Sequence, residues 1–301
     1  MNLEITLFGK KLKTPLILGS GTLGENKENL IKALKYGAGA VVTRTLRIKR
    51  EKRKIFNPAY YIENGIYMLN ADNQNLTSWE YWIDKAKEIE KYGRLIVSLS
   101  ARDLEGCGEI ISTFEKNFPP SFYEINFSCP HSAKLYGEIS YQTVEKVLKL
   151  ARKKTSQPLF LKLSLQNIDL KKLKEFEKRH LVDALVISNS IGPGLRINIE
   201  TGKPYLESIV GGMSGRAIKP LVLVAIYEVK KVLKIPIIGV GGIESAEDVL
   251  EYIMLGCEAV QIYTKAHLSG LEIFSEIKNN LIKKLKDKKI EEIKGIFWKN
   301  I

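Results

Sequence analysis

Cysteine and histidine are scarce, three of each in 301 residues. Cys107, Cys129 and Cys257 are too few and too scattered for a disulfide framework, and no CxxC pair offers a zinc or iron–sulfur clamp. His131, His180 and His267 include no i, i+4 pair, so no metal site is expected. Long apolar runs are missing too. No stretch approaches the roughly 20 residues that cross a bilayer, and the opening MNLEITLFGKKLK alternates polar and apolar residues instead of presenting a signal-peptide core. A soluble, cytoplasmic protein is expected. Repeats, low-complexity tracts and linkers are lacking as well, and 45% hydrophobic with 27% charged side chains excludes disorder by composition.

Acidic residues are in the minority, 34 against 47 basic ones, for a net charge of +13. Much of the surplus is lysine in helical stretches such as EKVLKLARKK and NNLIKKLKDKKIEEIK, which read as solvated faces. Nucleic acid is therefore not expected as a partner.

What the chain does have is a repeated alternation. Eight β-rich runs occur at 15–20, 39–46, 94–100, 122–128, 158–164, 183–190, 235–242 and 259–266. Most are separated by stretches of helix length with apolar residues three and four apart, including ENLIKALKYG, YQTVEKVLKLARK and SAEDVLEYIMLG. This pattern predicts an α/β fold, a single (β/α)8 TIM barrel over residues 1–301. Ahead of it, Asn2 to Lys13 reads as a β-hairpin with FGKK as its turn, plugging the barrel floor. Two connections, 47–77 and 191–214, are longer than a barrel requires and are expected as functional loops.

Polar or glycine residues recur where the eight strands end: Ser20-Gly21, Arg44-Thr45, Ser98, Asn126-Ser128-Cys129, Lys162, Asn189-Ser190, Gly241-Gly242 and Thr264. Barrel packing favours Val, Ile and Leu, so their common position predicts one convergent pocket. Gly241 and Gly242 would let backbone N–H groups approach an anion, and a barrel phosphate site typically follows strands seven and eight; a tight βα turn is the alternative. Lys162, in FLKLS, is costly to bury unless it meets an anion or an electron-rich ring. That favours a cofactor or substrate contact over an ion pair with Glu124 in the preceding strand. Cys129 follows a strand end, where a thiol whose pKa falls from about 8.5 toward neutrality can accept a proton; His131, Arg44 and Lys162 are candidate sources of the field that would lower it. Cys107 and Cys257, at no such position, read as inert. Asn70, Asn126 and Asn189 suit a planar ring with imide and amide groups, whereas Asn73 and Asn75 serve equally well as turn or cap residues.

Taken in order, PLILGSGTLG, GAGAVVTRTL, GIYMLNADNQN, YEINFSCPH, FLKLS, ISNSIGPGLRINIETGKP, VGGMSGRAIKP and IPIIGVGGIESAEDVLEYIMLGCEAVQIYT resemble the flavin-dependent dihydroorotate dehydrogenases, in particular the soluble class with a cysteine base. The resemblance runs through most of the chain. It implies an FMN-binding barrel that oxidises dihydroorotate to orotate in de novo pyrimidine biosynthesis. It further implies that Ser20, Arg44, Thr45, Ser98, Asn126, Lys162 and Ser188 line the flavin and its ribityl chain, with Gly215, Gly241, Gly242, Tyr263 and Thr264 at its phosphate end. Arg44, Asn70, Asn126, Asn189 and Ser190 would face the pyrimidine. Cys129 would take the C5 proton while hydride passes from C6 to flavin N5, and Lys162 would stabilise negative charge on the reduced ring. The 130–140 loop is expected to keep water out.

Four positions depart from the family pattern: Arg44 stands for a lysine, NADNQN is one residue short, His131 replaces an asparagine and Tyr263 a glycine. A histidine after SCP is similar to the pyrimidine-reducing domain of dihydropyrimidine dehydrogenases, which makes dihydrouracil or dihydrothymine the alternative substrates. Two remoter alternatives are a tRNA dihydrouridine synthase-like enzyme and a non-catalytic flavin-binding subunit. The implied partners are a small-molecule pyrimidine, a separate electron-transfer subunit or a diffusible oxidant, and further copies of the chain in a homo-oligomer.

Overall fold

The computed structural model describes residues 3–48, 57, 59–71, 77–127 and 139–301. The chain opens on a hairpin, β1 (Ile5–Leu7) and β2 (Lys10–Leu12). Its turn is Phe8–Gly9, both at positive φ, rather than the four residues FGKK, because Lys10 and Lys11 already pair with Leu7 and Thr6. A two-residue loop of this kind matches the twist of the strands it joins. Leu3, Ile5, Leu7 and Leu12 are buried, and the Phe8 ring packs 5.7 Å from Phe160, near the start of a barrel strand. The hairpin thus plugs the floor as expected.

All eight β-rich runs form barrel strands: β3 (Leu16–Leu18), β4 (Ala40–Val42), β7 (Arg94–Ser100), β8 (Phe122–Asn126), β9 (Leu159–Leu163), β10 (Ala184–Ile187), β13 (Ile237–Val240) and β14 (Ala259–Ile262). They pair in parallel and close in the order β10-β13-β14-β3-β4-β7-β8-β9. Helices cover the outside and side chains fill the inside, so the strands are buried on both faces, which is why runs such as AVV and ALVI carry no polar alternation. Around them lie α1 (Lys27–Tyr36), α2 (Trp79–Ile89), α3 (Leu104–Asn117), α4 (Tyr141–Lys154), α5 (Leu170–Lys178), α6 (Lys219–Val232), α7 (Ala246–Met254), α8 (Thr264–Ser269), α9 (Ile273–Leu285) and α10 (Ile290–Ile293). Helix α4 shows the local logic. Val144, Val147, Leu148 and Ala151 form one buried stripe, while the Ser140 side chain accepts from Thr143 N at the N-terminus.

The described parts of the two long connections are partly strand. They hold β5 (Tyr60–Glu63), β6 (Tyr67–Asn70), β11 (Ile191–Gly194) and β12 (Gly211–Ser214), an antiparallel sheet in the order β11-β12-β6-β5. Each connection alone would leave backbone donors and acceptors to be satisfied; pairing β6 with β12 satisfies them over the top of the barrel. Among the described residues no helix is long and apolar enough to cross a membrane.

Candidate functional site

A cavity opens at the C-terminal ends of the barrel strands, where the sequence predicts it, and every strand contributes. Ser20 follows β3, Arg44 and Thr45 follow β4, Ser100 ends β7 and Asn126 ends β8. Lys162 comes from β9, Ser188, Asn189 and Ser190 follow β10, Gly241 and Gly242 follow β13, and Gln261, Tyr263 and Thr264 belong to β14 and its end. Asn70 and Ser214, at the ends of β6 and β12, line it together with Gly215. Cys129, Ser128 and His131 lie outside the described residues, as do Asn73, Asn75 and most of the 130–140 loop.

Polar side chains in the lumen form the floor. Lys162 Nζ donates to Gln261 Oε1 at 2.9 Å and lies 3.7 Å from Glu124 Oε1, so the ion pair expected as the alternative is present, on a side chain that also lines the cavity. Ser98 is fully buried and does not line the cavity; its hydroxyl bonds Thr45 Oγ1 at 3.1 Å and Glu124 Oε1 at 3.3 Å. Side chains alternate along a strand, so Ser98 and Ser100 face the same way, and Ser100 takes the upper place.

Above the floor the amides lock one another. Asn126 Nδ2 donates to Thr45 Oγ1 at 3.1 Å, and its Oδ1 accepts from Asn189 Nδ2 at 3.2 Å. The Asn189 oxygen accepts from Ser190 N at 2.8 Å. Asn70 Nδ2 is held by Gly212 O at 3.1 Å. An amide presents donors and acceptors in one plane, and these bonds set the orientation in which Asn70, Asn126 and Asn189 meet the cavity.

Arg44 is the position where geometry changes the reading most. Its Nη1 lies 2.6 Å from Glu25 Oε1, and both side chains are largely buried. The positive charge expected for a substrate carboxylate is therefore shared with an acid from the turn before α1. Two arginines not singled out from sequence, Arg47 and Arg102, also line the cavity; Arg102 stands just beyond the end of β7, and Arg47 lies further along the connection that follows β4.

At the opposite end Gly241 and Gly242 have φ of 139° and 65°. A Cβ on Gly242 would sit 2.8 Å from Lys219 Cβ and 3.0 Å from Gly215 O, so the backbone approach there depends on glycine. Thr264 Oγ1 donates to Ser214 Oγ at 3.0 Å on the same wall. Burial pushes the neighbouring Glu244 carboxyl above the usual carboxylate range, against the pull of Lys265 and Arg216. Tyr263, which stands where glycine is customary, fits because Gly21 lacks a side chain: a Cβ there would meet the Tyr263 ring at 2.2 Å. Its hydroxyl accepts from Thr22 N at 2.9 Å. Cys107 and Cys257 are buried; burial pushes the Cys257 thiol up to about 12 and the Cys107 thiol well above its ordinary value, which suits neither to proton transfer.

The model of the family described as dihydroorotate dehydrogenase matches residues 2–285. The chain belongs to the dihydroorotate dehydrogenase family. It is thereby an oxidoreductase of a flavin-dependent class acting on a CH–CH bond. A Pyrococcus horikoshii protein named dihydroorotate dehydrogenase B (NAD(+)), catalytic subunit, is 36% identical over 299 residues, covering 98% of this chain and 96% of that protein. Proteins of the same name from Archaeoglobus fulgidus and Methanocaldococcus jannaschii are 34% and 32% identical, each over 98% of this chain and 98% and 97% of their own lengths.

Proposed function

We propose that this chain is the catalytic subunit of a two-component enzyme that uses FMN to oxidise dihydroorotate to orotate for pyrimidine synthesis, in the cytoplasm. The observation that carries the reading is the set of amides Asn70, Asn126 and Asn189 gathered on one cavity with Lys162 at its floor. A planar ring with alternating carbonyl and N–H groups is the ligand such amides recognise.

The residues present fit FMN. The glycine approach at Gly241 and Gly242, with Gly215, Tyr263 and Thr264, suits a phosphate. Ser20, Thr45, Asn126, Lys162 and Ser188 offer polar contacts along the wall for the ribityl chain and the ring edge. Bound there, FMN would accept the hydride leaving C6 of the substrate. The remaining work falls to the chain itself. Asn126 and Asn189, held by Thr45 and by each other, orient the ring without reorganising as charge develops. The Lys162 ammonium at the cavity floor would stabilise negative charge on a reduced ring bound above it. Cys129 is the proposed base for the C5 proton, in the position that follows the end of β8.

The carboxylate that distinguishes dihydroorotate from dihydrouracil is assigned to the arginines that line the cavity, Arg44, Arg47 and Arg102. A parallel anaerobic absorbance titration with dihydroorotate, dihydrouracil and dihydrothymine tests this. Dihydroorotate alone is expected to bleach the flavin; bleaching by the uncharged rings but not by dihydroorotate would transfer the chain to dihydropyrimidine chemistry.

A further inference from the structure

Glu124 in β8 has no exposed surface and does not line the cavity, yet both of its oxygens are engaged by groups that reach the cavity or the residues beside it. Oε2 accepts from Gln261 Nε2 at 2.7 Å, across the lumen from β14 on the opposite side of the barrel. Oε1 accepts from Ser98 Oγ at 3.3 Å and lies 3.7 Å from Lys162 Nζ. Gln261 turns its own oxygen to the same ammonium, at 2.9 Å. One amide thus reads both charges, its NH2 on the anion and its carbonyl on the cation, and this fixes its orientation. A buried ion pair is seldom more stable than well-packed apolar residues of the same volume, so stability alone gives no reason for a carboxylate at this depth.

We propose that Glu124 is a positioning residue: through Gln261 it pins the Lys162 ammonium at the cavity floor and offsets part of its charge, setting the positive potential that a bound isoalloxazine meets. The proposal rests on the FMN reading above and adds to it a group that touches neither flavin nor substrate. The dependence on Lys162 is what separates this role from simple packing.

Sulfite affinity measures that potential without turnover, because sulfite adds more tightly to oxidised flavin in a more positive surrounding and the addition bleaches the visible absorbance. In mildly acidic buffer, Glu124→Gln keeps the shape and hydrogen bonding of the side chain while removing its charge. It is expected to lower the sulfite dissociation constant about tenfold. In a Lys162→Met background, with FMN in excess so that the site stays filled, the same change is expected to move it only about threefold or less, since the part of its effect that passes through the ammonium is lost and the direct field of the carboxylate remains. An unchanged or looser sulfite complex in Glu124→Gln, or an equal change in both backgrounds, overturns the proposal. Should Glu124→Gln not retain FMN, Glu124→Asp keeps the charge but draws it back from Lys162. Tighter sulfite binding then supports the role, and unaltered or weaker binding overturns it. Unaltered protein that takes up no FMN would defeat the cofactor reading, and this outcome is seen before any variant is made.

Discussion

Side chains that would touch the occupant of the cavity differ from those that hold them, and single substitutions separate the two. Cys129→Ser is expected to slow flavin reduction by dihydroorotate on the order of 100-fold or more while FMN stays bound; stopped-flow absorbance reads both, and unchanged kinetics would remove Cys129 from the mechanism. Arg102→Ala is expected to raise KM for dihydroorotate about tenfold with little change in kcat, the loss of a charge-assisted contact to the substrate carboxylate. Lys162→Ala strands Glu124 as an uncompensated buried charge and is expected to cost about 3–5 kcal/mol in urea unfolding of the apoprotein, besides weakening FMN retention. Lys162 was legible in the sequence because a lysine inside an apolar run has few explanations; the structure shows the ion pair with Glu124, on a side chain that also lines the cavity. Ser98 was one step out: β7 extends to Ser100, and a period of two carries Ser98 below the surface. The Arg44–Glu25 pair was not legible, since nothing in TRTL points to an acid nearly twenty residues earlier.

At the scale of elements, all eight barrel strands were visible as apolar runs because burial on both faces removes the polar alternation that would make a short strand ambiguous. The small sheet was not, although one of its signals was present. Asn64 and Gly65, both at positive φ, turn β5 into β6, and an Asn-Gly pair between apolar residues is a strong hairpin mark. Its other half depends on contacts between connections more than a hundred residues apart, which local periodicity does not report. Helix α3 carries Gly106 and Gly108 within its span, which dilutes its helical signal even though Cys107, Ile110, Ile111 and Phe114 form a buried stripe. The turn after β13 yields an element-scale prediction. Gly242→Ala forces a Cβ toward Gly215 O at a φ of 65°, and is expected to weaken FMN binding about tenfold or more while far-UV circular dichroism stays the same. Unaltered FMN affinity would move the phosphate away from this turn.

Seen whole, the chain is strongly basic, and among the described residues no cluster of His, Cys, Asp or Glu suits a metal. In the proposed two-component enzyme, electrons delivered to the flavin pass to a separate carrier, in keeping with relatives named as NAD(+)-type catalytic subunits. The purified chain loaded with FMN is expected to be reduced once by dihydroorotate and not to turn over with NAD+ until an electron-transfer subunit is added; steady turnover with NAD+ alone would contradict the two-component reading. The central claim is that one cavity brings flavin, pyrimidine and the Cys129 sulfur together above Lys162. A crystal structure of the chain with FMN and orotate tests it most directly. The account predicts the Cys129 sulfur within about 4 Å of orotate C5, with FMN on the other face of the ring and in contact with Lys162. A sulfur turned away from the cavity, or a flavin seated elsewhere, would contradict it.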